Sequence, residues 1–258
     1  MGNVNLATLE ALQPHTGIQE DPRLESGLVV RIWSKYYDKL ADHFLTRIRV
    51  KPSTVILEAG CGKGQLTIPM IQKLPQSVRL IAVDSSIGPY LGWLDELTSK
   101  IRRLGLEQRV HLIKSDVRRI KGVKDSSVDI VVSNELLCDL PRKDQLVKAL
   151  NEFYRILRPG GSMIHGEWSS SPVDSGVGFK VKHSPAWNPD QLFNYTKRAG
   201  FHNFRVSYFD ETVDFGYDTA IAELRTWGVT ESFFKHYERS LKRYGIQLPY
   251  EHVIQCEK

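Results

Sequence analysis

Cysteine is scarce in this chain: Cys61, Cys138 and Cys256 stand far apart among 258 residues and form no CxxC pair. A disulfide framework and a zinc centre are thereby excluded as organising features, no metal is expected, and the expected setting is a reducing cytoplasm. No apolar stretch approaches the roughly 18 residues needed to cross a bilayer. The first ten residues, MGNVNLATLE, lack the basic-then-apolar layout of a signal peptide. Gly2 prompts a check for myristoylation, but Leu6 occupies the position that needs Ser or Thr. No membrane partner is expected. Also missing is any run of five or more like charges. The net charge of +5, with a pI near 9.0, tolerates an acidic partner without demanding one. Nucleic acid is thus possible on charge but unsupported, since no RNA-binding module is legible. The chain carries no internal repeat, no low-complexity segment and no signal of oligomeric state.

What the chain does contain is ordinary globular material, 41% hydrophobic and 25% charged, in a length that suits one large α/β domain with an appendage. Its organising stretch runs from Thr54 to Met70 and reads TVILEAGCGKGQLTIPM. Val55, Ile56, Leu57 and Ala59 enclose a single acid, Glu58. Glycines follow at alternate positions, Gly60, Gly62 and Gly64, and an amphipathic run begins behind them. The pattern describes a short buried strand, a tight glycine turn and a helix N-terminus. Glycine lacks a Cβ, so a ligand can sit against the backbone there. The helix N-terminus offers unpaired N–H groups to something polar or anionic.

A dinucleotide-binding turn reads G-x-G-x-x-G, so the closer spacing here disfavours an NAD-dependent oxidoreductase. E-x-G-x-G-x-G at the end of a strand resembles motif I of the class I S-adenosylmethionine-dependent methyltransferases. The resemblance implies a Rossmann-like fold and S-adenosylmethionine as cofactor. It further implies that Gly60, Cys61, Gly62 and Gly64 hold the amino-acid part of the donor, with Glu58 stabilising the turn.

Around this stretch, strand and helix patterns alternate. Residues 1 to about 20 read as a loose arm, and Asp21-Pro22 as a helix start. Helical spacing from Val29 through Trp33, Tyr36, Leu40 and Phe44 continues to Ile48, and Lys51-Pro52 ends it. Val78 to Val83 reads as a strand ending at Asp84, where a carboxylate accepts from a ribose diol or caps the run after Ser85. A helix is predicted over Tyr90–Leu104, closed by Gly105, and a third strand over Arg109–Ile113. The latter leads to Asp116-Val117, which the resemblance assigns to the adenine; an Asp after a strand is also a common turn residue. Val128 to Val132 is a near-continuous apolar run, as in a central parallel strand, ending at Ser133-Asn134. A helix through Leu146, Leu150, Phe153 and Leu157 is closed by Arg158-Pro159-Gly160-Gly161, and Ser162–Trp168 makes a fifth strand. Residues 169–187 read as a long loop, of a kind that often carries function. Helix, strand and two further helices follow, the latter capped by Asp218 and Thr230, and His252–Cys256 makes the last strand.

The expected architecture is an α/β fold with a seven-stranded, mostly parallel Rossmann-like sheet and helices on both faces. An N-terminal arm and helices occupy residues 1–51. The methyltransferase-like domain covers 52–258, with a helical, lid-like insertion over 215–247 before the last strand.

Methyl transfer from a sulfonium is an in-line displacement, so positioning dominates, and a base is needed only when the acceptor carries a proton. Candidates at the expected floor are Asn134, which also borders the donor, and Glu135. His165 and Glu167, at i and i+2, share one side of the fifth strand. If that side faces the pocket mouth, one of them serves as general base; otherwise they form a satisfied polar pair. Cys138 reads as packing rather than as a reactive thiol. Glu135 and Asp144 stand at the spacing of the two acids that grip a guanidinium in protein arginine methyltransferases, but Asp144 is more simply a helix cap. The resulting expectation is a methyltransferase acting on a small molecule or a protein side chain. An arginine or RNA methyltransferase, or a SAM-binding regulator without catalysis, is the alternative.

Overall fold

A computed structural model describes residues 27–168, 187–211, 213, 215–226, 229–246 and 250–258. The expected arm, the helix start at Asp21-Pro22 and the loop up to Ala186 lie outside the described residues. Helix α1 spans Gly27–Leu45, and β1 (Val55–Ala59), α2 (Thr67–Lys73), β2 (Arg79–Asp84), α3 (Trp93–Arg103) and β3 (Val110–Lys114) follow. The chain continues through β4 (Val128–Asn134), α4 (Lys143–Ile156), β5 (Leu157–Trp168), α5 (Pro189–Arg198) and β6 (His202–Phe209). Helices α6 (Tyr217–Thr226) and α7 (Glu231–Tyr244) precede β7 (Glu251–Glu257).

The seven strands form one sheet in the order β3-β2-β1-β4-β5-β7-β6. Strands β1 to β5 pair in parallel, and β7 runs antiparallel between β5 and β6. The central strands are apolar on both faces because both are covered. Ile56, Leu80 and Ile130 pack toward α1, α2 and α3, while Leu57, Val83 and Val131 pack toward α4 and α5. Helical periodicity supplies the matching surfaces: Leu146, Ala149, Leu150 and Phe153 form the buried stripe of α4. The insertion carrying α6 and α7 is pinned at its base by an antiparallel bridge between Phe215 and Ile246.

Five local expectations are corrected. Gly92, at φ 88°, breaks the run predicted over Tyr90–Leu104 into a short 3-10 turn, Gly88–Tyr90, and α3. Leu157 belongs to β5 rather than to the helix, because it pairs with Val128. The Gly160 and Gly161 that were to close that helix instead bond to Lys258 at the end of β7. Asp144 is not the cap of α4: Arg142 holds that position, and Asp144 lies in the first turn, bound to the Arg142 guanidinium. Asp218 likewise lies within the first turn of α6, whereas Thr230 does sit at the N-cap of α7.

Phe153 is fully buried between α4 and the sheet. Truncation to Ala is expected to cost about 3–5 kcal/mol, as for other buried aromatics, read as a lowered urea midpoint at unchanged slope.

Candidate active site

The C-terminal ends of β1, β2, β3, β4 and β5 open into one cavity of about 1280 Å³, roofed by α1, α3 and α6. Its first wall is the turn after β1. Gly62 and Gly64 sit at φ 51° and 83°, conformations that side chains other than glycine rarely adopt. A Cβ on Gly62 would meet the Trp93 ring at 2.9 Å, and one on Gly64 would meet Leu97 at 2.3 Å. The glycines therefore let α3 close directly onto the turn.

Asp84, at the tip of β2, fixes that turn from the side. Its Oδ2 accepts the Gly62 amide at 2.9 Å and its Oδ1 accepts the Ser86 amide at 2.7 Å. Both readings of this carboxylate coexist: it caps its own loop and still borders the cavity with Ser85. Glu58 is 3% exposed, and its Oε2 has no hydrogen-bond partner. Burial pushes its carboxyl up to about 8; the Thr67 hydroxyl opposes that rise and the charge of Asp84 adds to it. Asp116 is gripped by Arg118, whose Nε lies 2.9 Å from Oδ1 and whose Nη2 lies 2.5 Å from Oδ2. The grip holds the Asp116 carboxyl below the usual range, and a ligand amine reaching it competes with Arg118.

The residues read from the sequence converge. Glu58, Gly60, Cys61, Gly62, Gly64, Asp84, Ser85, Asp116, Val117 and Asn134 line the cavity, as do Glu135 and Glu167. His165 does not line it. It lies beneath, 1% exposed, with Nδ1 2.8 Å from Ser133 Oγ and Nε2 3.4 Å from Glu167 Oε2. Glu167 also accepts the Cys138 amide at 3.2 Å. Burial, reinforced by the Glu167, Asp139 and Glu135 charges, pushes the Cys138 thiol well above its ordinary range, so it stays protonated and poorly nucleophilic.

Trp33, Trp168 and Glu223 carried no usable signal in the chain, and Tyr37 lines the cavity beside them. Trp33 and Tyr37 project from α1, Trp168 ends β5, and Glu223 arrives from α6. Trp33 Nε1 donates to Glu223 Oε1 at 2.8 Å across 190 residues of sequence. Tyr36, next to Tyr37 in the chain, instead points into the core and donates its hydroxyl to Glu251. Asp144 is half-exposed and absent from the cavity, so the pair proposed to grip a guanidinium does not assemble.

Comparisons with known proteins agree with this geometry. Residues 56–161 match a family model described as a methyltransferase domain. The chain is 24% identical over 201 residues to phosphoethanolamine N-methyltransferase 1 of Arabidopsis thaliana, covering 78% of this chain and 35% of that protein. It is 31% identical over 120 residues to the demethylmenaquinone methyltransferase of Lactobacillus johnsonii, 46% of each chain. The chain thus spans a third to a half of the length of these curated relatives. Among solved structures, a Haemonchus contortus phosphoethanolamine N-methyltransferase 2 in complex with S-adenosyl-L-methionine superposes with a TM-score of 0.60. That match has 15% identity and covers 92% of this chain and 58% of the other.

The raised carboxyl of Glu58 makes stability depend on pH. From the ordinary carboxylate range near 4.5 up to about 8, the folded protein holds a proton that the unfolded chain has released. Stability from this group is full below that window and is lost as pH rises through it. Glu58→Gln is expected to flatten the decline, measured as melting temperature of the ligand-free protein between about pH 5 and 9.

Proposed function

The chain belongs to the class I, Rossmann-like family of S-adenosylmethionine-dependent methyltransferases, and from that premise we propose that it transfers a methyl group to a nucleophilic atom of a small-molecule acceptor. The observation that carries this reading is the single cavity in which a donor wall and an acceptor wall meet.

The residues present fit the donor. Glu58 Oε2, buried and without a partner, suits the ammonium of an amino acid. The glycine turn borders the cavity with α3 packed closely against it, and Asp84 keeps lone pairs free for ribose hydroxyls after accepting one amide on each oxygen. Asp116 and Val117 border the space for adenine, with Arg118 as the group to be shared or displaced. When bound, S-adenosylmethionine supplies an electrophilic methyl group on a sulfonium.

The chain's own work is to orient, to dry and to take a proton. Trp33, Tyr37 and Trp168 wall the far side of the cavity and limit water there, which suits a displacement governed by alignment. Asn134 and Glu135 form the floor. Glu167, 2% exposed and held by the Cys138 amide, is the proton acceptor where the substrate carries a proton. His165, behind Glu167 and tied to Ser133, is a positioning residue in this scheme. A regulator that binds the donor without catalysis remains the competing reading, and it predicts no methyl transfer.

Micromolar binding of S-adenosylhomocysteine by calorimetry, with none of NAD, is expected. Asp84→Ala should weaken it by about 1.5–3 kcal/mol, the loss of a charge-assisted hydrogen bond; unchanged affinity removes Asp84 from the donor site. Tritiated-methyl transfer to the small-molecule fraction of a lysate is expected, and its absence across all fractions favours the regulator.

A further inference from the structure

We propose that the hollow beside the C-terminal end of β3 binds a phosphate-type oxyanion, and that an anion held there favours donor binding by drawing Arg118 away from Asp116; the coupling rests on the methyltransferase reading, whereas the anion site stands apart from it. The hollow, about 440 Å³ in volume, adjoins the donor cavity and shares Ser85, Ile87, Asp116 and Arg118 with it. Lys114, Arg118, Arg119 and Lys121 supply four cations to its lining against a single acid, Asp116. Arg118 is paired with that acid. Lys114, Arg119 and Lys121 are exposed and have no ion pair among the described residues.

The loop after β3 holds these cations in place. Ser115 Oγ accepts the Lys121 amide at 3.0 Å and donates to the Arg119 carbonyl at 3.2 Å, which folds residues 115–121 into a tight ring. The Ile120 amide, donating to Glu152 Oε1 at 2.6 Å, fastens that ring to α4. Arg118, Arg119 and Lys121 are thereby gathered at the end of the strand that carries Lys114. A concave surface lined by one sign of charge focuses its field on a counter-ion. Guanidinium and ammonium donors lining one space suit the three oxygens of a phosphate group, and a frame already ordered lowers the cost of binding.

Arg118 connects the two spaces. Asp116 Oδ1 accepts the Arg118 amide at 2.8 Å and Nε at 2.9 Å, and Oδ2 accepts Nε at 3.0 Å and Nη2 at 2.5 Å. A carboxylate offers about four acceptor positions, so Arg118 fills them and an adenine amine reaches Asp116 only by displacing the guanidinium. Once displaced, Arg118 has three like charges beside it in the hollow. A bound oxyanion takes the guanidinium into a charge-assisted bond and removes that repulsion. Anion and donor then raise each other's affinity by one common factor.

Calorimetry separates the site from the coupling. The ligand-free protein is titrated near neutral pH with inorganic phosphate, with glycerol phosphate and with acetate, at one ionic strength set by sodium chloride. Both phosphates are expected to bind and acetate is not; the tighter of the two tells a free ion from an ester. S-adenosylhomocysteine is then titrated in phosphate and in acetate, and its affinity in phosphate is expected to be about fivefold higher or more. The Arg119→Gln/Lys121→Gln protein should lose both the phosphate binding and the difference between the two buffers; both side chains are exposed, and melting curves verify folding. Arg118→Ala should lose the difference between buffers while phosphate still binds. Absence of phosphate binding, equal binding of acetate, or parent-like phosphate binding by Arg119→Gln/Lys121→Gln overturns the site. Phosphate binding without a gain in donor affinity, or a gain that survives Arg118→Ala, overturns the coupling. Failure of S-adenosylhomocysteine to bind in either buffer overturns the methyltransferase reading and the coupling with it, while phosphate binding alone still decides the site.

Discussion

The carboxylate of Asp84 is the constraint from which the site follows. It takes the amide of Gly62 on one oxygen and that of Ser86 on the other, and so joins the loops after β1 and β2. Backbone amides buried without partners are costly, so the Gly62 bond holds the glycine turn together with the Gly60 and Cys61 amides, which donate to the Val83 carbonyl. With the turn fixed, α3 closes on it through Trp93 and Leu97, and the mouth of the cavity takes its shape. Glu58, two residues before Gly60, is buried beside it with one carboxylate oxygen lacking a hydrogen-bond partner. A single acid at a strand tip thus ties together the two loops that border this side of the cavity.

The parts that could be read from the chain are those in which local sequence and tertiary role coincide. Buried parallel strands must be apolar on both faces, so VILEA, RLIAVD and VDIVV announce themselves. Glu58, Asp84 and Asp116 could be named because strand ends place them by topology. The acceptor wall was not legible in the same way. Glu223 reaches the cavity only because α6 packs against α1, and nothing in its own neighbourhood marks it. Tyr36 and Tyr37 are adjacent in sequence, yet the roughly 100° turn per residue of a helix sends one into the core and the other to the cavity. Asp144 shows the converse error. A residue type that favours caps sat near a helix start, but the start fell two residues earlier.

The two halves of the cavity impose different demands on one space. The donor side mixes acids with Lys and Arg, several already paired, so its field is locally compensated. On the other side carboxylates and aromatic rings stand together, with Glu167 backed by His165 and Ser133. Two of these acids have a hydrogen-bonding anchor: the Cys138 amide for Glu167 and the Trp33 indole for Glu223. The anchors come from α1 and the turn after β4, and Glu223 itself comes from α6, which makes the insertion part of the site's electrostatics.

The position of β7 bears on how the sheet is completed. It is the last strand of the chain, yet it lies inside the sheet, paired on one side to β5 and on the other to β6. Its first residue, Glu251, receives the hydroxyl of Tyr36 from 215 residues away. The 82 residues 169–250 separate the end of β5 from β7, so the edge of β5 that β7 covers stays open until this long-range pairing forms. The β5 edge is thus completed only by a contact distant in sequence, and β7 closes two strand edges at once.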